Sequence, residues 1–195
     1  MESAASARWI VLPLVAAVFV AGVWVTGGLL TNSFRASMAL VALWYAVAGA
    51  AALTVGLRRR VLRVPVWTGY AVAAVAVGGF LAWTTLRDRV VHERLTAGAT
   101  LASGGFKSGE HTTRGIAAIV QRADGRRFVT LRGFSTSPGP DLRVRVQPGN
   151  VDLGALKGNR GDQQYALPPG RSATRVVIWC RAFSAEFGSA PLAPV

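Results

Sequence analysis

The sequence predicts two regions of different class: an α-helical membrane anchor of three transmembrane helices, then an all-β, sandwich-like extracytoplasmic domain. Three observations predict it. Three apolar runs, each long enough to cross a bilayer core as helix, fill residues 1–86. Between Leu86 and Ala99 the composition shifts from Ala, Val, Leu, Gly and Trp to mixed polar and charged residues. From residue 99 onward, short β-capable runs alternate with turn residues. The chain of 195 residues is 51% hydrophobic and 16% charged, too apolar to be wholly soluble, and the first region accounts for the excess. The expected organisation is a three-helix region over 1–86, a linker over 87–98 and a β domain over 99–195.

The spans are expected at about Trp9–Leu30, Ser37–Leu57 and Val64–Leu86, none of which contains a charged residue. The first run is longer than the apolar part of a signal peptide. Arg8 is offset by Glu2, and no Ala-x-Ala site closes the run, so a retained span is expected. Proton relays, transport sites and bis-His haem sites need ionisable groups inside the membrane, and these spans supply none. Small residues at four-residue spacing, Ala48/Ala52/Gly56 and Ala74/Gly78/Ala82, allow helices to approach closely. Trp9, Trp67, Trp83 and Tyr70 lie toward span ends, where aromatic rings favour the interface. A three-helix anchor is the simplest reading, with other membrane proteins as a further class of partner for the spans.

Loop charge sets the expected orientation. The second loop carries Arg58, Arg59, Arg60 and Arg63, whereas the first carries only Arg35. Cytoplasmic loops collect Arg and Lys, so the Arg58–Arg63 loop and the N-terminus are expected in the cytoplasm of a multi-pass cell-membrane protein. Residues 87–195 are then outside. Arg87, Arg89 and Arg94 on the exit side oppose this assignment, and Asp88 and Glu93 dilute them.

In the β region, Gly115–Arg122 and Arg127–Arg132 flank Asp124-Gly125, a pair that supplies the positive-φ positions of a tight hairpin. Pro138-Gly139-Pro140-Asp141 breaks the chain. Leu142–Val146 alternates, placing Leu142, Val144 and Val146 on a buried face and Arg143 and Arg145 in solvent. Leu153–Gln164 is Gly-rich and reads as a long connection folding over a sheet edge. Thr174–Arg181 is the most apolar strand and therefore central, with Phe183–Gly188 pairing near it. An antiparallel sandwich or barrel of roughly 7–9 strands results.

The chain has one cysteine, Cys180, which therefore has no intrachain disulfide partner. It is a core residue, an intermolecular cross-link, a redox thiol or a ligand. Alternation places it with Val176, Ile178 and Ala182 on an apolar face, opposite Val177, Trp179, Arg181 and Phe183. That is where a buried, inert cysteine sits.

Several segments, in order, resemble one family. These are Gly105-Phe106 with His111 and Gly115; Asp124-Gly125; Gly139-Pro140-Asp141-Leu142; Leu153-Gly154-Ala155-Leu156-Lys157-Gly158-Asn159; Gly161 to Tyr165; Val177-Ile178-Trp179-Cys180 with Phe183; and Phe187-Gly188. Over about residues 99–192 the chain is similar to the DM-thirteen domain, the electron-transfer family associated with DOMON domains. The resemblance implies an extracellular β-sandwich-like module. It also implies redox chemistry at Cys180, as a naked thiol or through a prosthetic group such as haem. His111, Trp179, Tyr165 and Asp141 are the supporting candidates. Arg145 stands where the family pattern leads one to expect an aromatic residue.

The remaining motifs exclude more than they support. His111 lies in a polar turn, where imidazole is a ligand less often than a solvated or hydrogen-bonded group. With Cys180 it makes two ligands, short of a zinc site. No Cys-x-x-Cys-His attaches a c-type haem. Gly154–Gly161 lacks the Gly-Lys-Ser/Thr ending of a phosphate loop. Asp141, Asp152 and Asp162 match no calcium-loop spacing and read as turn caps. No Ser-His-acid pattern suggests a hydrolase. Residues 99–195 carry 13 Lys and Arg against 6 Asp and Glu, net +7. Outside a membrane, that charge points to anionic lipid head groups or acidic envelope polymers and away from nucleic acid.

Overall fold

The computed structural model describes residues 2–195, and side chains from residue 9 onward. The chain forms two units, divided between Trp83 and Thr84.

The first unit holds α1 (Glu2–Gly28), α2 (Phe34–Arg58) and α3 (Arg63–Leu86), with one 3-10 turn at Arg60–Leu62. Trp9–Gly28, Phe34–Arg58 and Arg60–Leu86 are long and apolar enough to cross a membrane. Aromatic rings set into small-residue sites join the helices. Trp44 Nε1 donates to Phe19 O at 3.0 Å, and Trp67 Nε1 donates to Ala52 O at 3.1 Å. Tyr70 Oη donates to Tyr45 O at 2.9 Å, and Tyr45 Oη to Ala74 O at 3.3 Å. A Cβ on Gly22 would lie 2.1 Å from Trp44, and one on Gly56 would lie 2.2 Å from Trp67. Gly22 and Gly56 are thus sockets for rings. Trp67 and Tyr70 bond to the backbone of the neighbouring helix, because in an apolar medium their polar hydrogens find partners there. Trp9 and Trp83 stay exposed.

The second unit is a sandwich of two sheets. Its strands are β1 (Val90–His92), β2 (Ala99–Gly105), β3 (Lys107–Ser108), β4 (Arg114–Gln121), β5 (Arg127–Ser135), β6 (Leu142–Gln147), β7 (Val151–Ala155), β8 (Arg160–Leu167), β9 (Arg175–Cys180), β10 (Ala185–Pro191) and β11 (Ala193–Pro194). One sheet runs β1-β8-β5-β4-β2-β11 and the other β3-β10-β9-β6-β7. Pairing is antiparallel except for β1 on β8. The expected sandwich and the central place of β9 are both present. The strand number exceeds 7–9 because β1, β3 and β11 are too short to show a period. Buried side chains include Ala117, Ile119, Val129 and Leu131 from the first sheet, and Val144, Val146, Val176 and Ile178 from the second.

Three sequence expectations need correction. Leu153–Gln164 is not one long connection: it supplies most of β7 and β8. Gly154 (φ 118°) and Gly161 (φ 100°) sit at register shifts in the β6–β7 and β5–β8 pairings, so glycine here marks bulges within strands. Arg143 and Arg145 are half-buried, not in solvent, because Arg143 is held by Asp152 and Arg145 stacks on Trp179, with 5.0 Å to the ring centroid. Residues 87–98 contain a strand and pack as part of the domain. Val90–His92 pair in parallel with Arg160–Asp162, and the next residues are bonded to β8. Glu93 N donates to Asp162 O, Gln164 N to Glu93 Oε2, and Thr96 N to Gln164 Oε1. Gly161 lets β1 dock, since a Cβ there would lie 2.0 Å from Val91 O.

Candidate functional site

Cys180 is the last residue of β9 and is 0% exposed. Leu142 of β6 stands opposite it on one side and Ala185 of β10 on the other. The chain then turns over residues 181–184, with Ser184 in the left-handed region at φ 47°, and re-enters β10. That turn aims the backbone N–H groups of Phe183 and Ala182 at the sulfur. From the other side the Sγ–H donates to Pro140 O at 3.0 Å.

Burial dominates the electrostatics and pushes the thiol up to about 11; the Phe183 and Ala182 amides oppose it, and the Asp141 charge adds to it. In this conformation Cys180 is a protonated thiol at neutral pH, shielded from reagents.

The cover is the loop after β5. Asp141 is in the left-handed region at φ 53°, and its carbonyl accepts from Arg181 N at 3.1 Å. Its carboxylate is paired with Arg181 Nε and lies 3.8 Å from Arg143 Nη1. Gly139 rests on Phe187, where a Cβ would lie 2.9 Å from the ring. The other face of the loop region is fixed by Thr113 and Thr136, whose hydroxyls meet at 2.9 Å while Thr113 Oγ1 also donates to Phe187 O.

Of the supporting candidates, the structure brings only Asp141 to the thiol. His111 is half-buried with its ring 4.0 Å from that of Phe187, so it meets the site through the ring that supports Gly139. Trp179 points from the opposite face of β9 and carries Arg145. Tyr165 lies in the other sheet, donates to Gln163 Oε1 at 2.8 Å and accepts from Lys157 N at 3.0 Å. Burial holds its phenol well above the usual range. Asp152 and Asp162 do not cap turns: they lie in β7 and β8 and accept from the Gly154 and Gly133 amides at irregularities of the strand pairing. Among the described residues, no group of three or more His, Cys, Asp or Glu could hold a metal.

Sequence reasoning missed Pro140, Arg181 and the Ala182 and Phe183 amides. Alternation does turn the Arg181 side chain away from the core, and that is how it reaches the Asp141 carboxylate at the surface. The only available signal was the Gly-Pro-Asp turn just before the strand that pairs with Cys180.

Haem, which the resemblance implies, does not fit this geometry. Cys180 is 0% exposed, and its sulfur already engages Pro140 O and the Ala182 and Phe183 amides.

Fold and site define a class: three helices able to span a membrane, followed by a β-sandwich with a lone thiol closed beneath a loop. The family model described as Electron transfer DM13 matches residues 105–192, and the β domain belongs to that family. The match leaves out the three helices, β1, all of β2 except Gly105, and β11. No curated protein and no solved structure matches the chain.

Proposed function

We propose that this is a multi-pass membrane protein that displays its DM13 domain outside the cytoplasm for thiol-based redox exchange at Cys180. The observation that carries the reading is the hydrogen bonding of the sulfur. Two amides converge on Sγ from the β9–β10 turn, an arrangement that favours a thiolate once burial is relieved. A thiolate there would attack a partner disulfide, form a mixed disulfide and release one partner thiolate. Acid-quenched cells analysed on non-reducing gels should show adducts with the natural protein and none with Cys180→Ser. Equal patterns would remove the redox role.

The orientation rests on the four arginines of the Arg58–Arg63 loop. In a Cys180→Ser background, a membrane-impermeant thiol reagent on intact cells should label Asp124→Cys and spare Val61→Cys. The reverse would place the domain inside.

The complete burial of Cys180 favours a second reading, a membrane-anchored interaction module or accessory subunit whose cysteine is structural. Anionic lipid head groups, acidic envelope polymers or other membrane proteins are its partner classes. Under that reading Cys180→Ala retains full function in cells.

A further inference from the structure

The loop over Cys180 is secured in an unusual way. Pro140 O takes the thiol hydrogen, so one backbone group both covers the sulfur and satisfies its donor. The next residue, Asp141, adopts a left-handed conformation that non-glycine residues seldom occupy. It is held there chiefly by Arg181, whose amide grips the Asp141 carbonyl and whose guanidinium grips the carboxylate, with the Arg143 guanidinium a more distant partner at 3.8 Å. The side chains of this pair are 60% and 31% exposed for Arg181 and Asp141, whereas Cys180 is 0% exposed. A solvent-facing contact therefore holds the cover of a fully enclosed group. The amides of Ala182 and Phe183 belong to the β9–β10 turn and not to the loop. Movement of the loop would strip the sulfur of its acceptor, its apolar cover and the nearby Asp141 charge, and would leave both amides in place.

We propose that Gly139–Asp141 is a lid over Cys180, and that the Arg181–Asp141 pair is the positioning latch that keeps it shut. Opening converts an enclosed thiol into an accessible one already provided with amide donors. The inference deepens the redox reading and depends on it for the use of the thiol, but the lid itself is tested independently.

The full-length protein in detergent micelles is treated with a small neutral maleimide, and the rate of Cys180 modification is followed at increasing urea below the unfolding transition. Asp141→Asn keeps a residue that tolerates the left-handed backbone while removing the charge. Arg181→Gln removes the other partner, and Arg181→Glu sets two carboxylates against each other. The first two should react about twofold to fivefold faster than the natural protein, the range for losing an exposed ion pair. Arg181→Glu should react faster still. All the rates should be nearly flat at low urea, because a local opening exposes little surface. Rates that match the natural protein in all three variants would overturn the latch. Rates that climb with urea as steeply as global unfolding would overturn the lid. Faster labelling without mixed disulfides in cells would keep the lid and remove the redox reading.

Discussion

Asn159 Oδ1 accepts a hydrogen bond from the backbone N–H of Arg89 at 2.6 Å, three residues after the end of α3. The same side chain donates to Asp88 Oδ1 at 2.8 Å and to Thr136 O at 3.1 Å, and it is 5% exposed. One amide thus joins the segment leaving α3, the loop after β5 and the edge of β8. Residues 87–98 belong to the domain for this reason.

A fragment beginning at Arg87 should therefore be more stable than one beginning at Ala99, which lacks β1 and the Glu93 and Thr96 contacts. Urea midpoints of the two fragments check this. In the longer fragment Asn159→Ala should cost about 1–3 kcal/mol, because it removes the donor to the Thr136 carbonyl at a buried site.

Cys180 makes stability fall at high pH. Its folded value is raised from 9.0 to about 11. Below about 9 the thiol is protonated in both states, and its contribution is fully present. Between about 9 and 11 the unfolded chain ionises first, so stability falls as pH rises and is lost through the folded value. Urea midpoints between pH 8 and 11 should drop more steeply for the natural protein than for Cys180→Ser. Parallel curves would count against an enclosed thiol.

Glu93 acts at the other end of the scale. Burial works to raise its carboxyl, but the Lys157 and Gln164 hydrogen bonds and the Lys157 charge together hold it below the usual range. Its contribution is present above the ordinary carboxylate value and is lost as pH falls through the lowered folded one. Glu93→Gln should flatten the acid limb of the stability profile, as read by thermal melts between pH 6 and 3.

In the helical unit, Gly56 and Gly79 separate packing from composition. A Cβ on Gly56 would lie 2.2 Å from Trp67, whereas nothing lies within 4 Å of one on Gly79. Gly56→Val should force α2 and α3 apart and sharply lower thermal stability in detergent. Gly79→Val should be nearly neutral. Trp67→Phe, which loses the bond to Ala52 O, should cost about 0.6 kcal/mol and at most about 2 kcal/mol.

Much of this was legible in the chain. Leu142, Val144 and Val146 alternate because one face of β6 is buried, and the period of two survives in the sequence. Asp124-Gly125 closes its hairpin, with Gly125 at φ 80° and Asp124 Oδ1 accepting from Arg126 N. Strand β1 was not legible: three residues, two of them exposed, show no period, and only their fit beside Gly158, Asn159 and Gly161 makes them a strand. The glycines of β7 and β8 misled for a related reason. A glycine that ends a strand and one that bulges it look the same until the partner strand is known.

The sequence by itself determined the three apolar helices, the sandwich that follows them, its DM13 motifs and the place of Cys180 on the apolar face of a central strand. These follow from composition and periodicity, which are local properties of the chain. Only the tertiary structure decided what surrounds the sulfur. Pro140 and Cys180 are 40 residues apart and meet because β6 pairs with β9. Arg181 leaves the core face and so reaches Asp141 beyond the end of that pairing. Contacts of this kind arise from strand register across the fold, and no pattern within either segment encodes them.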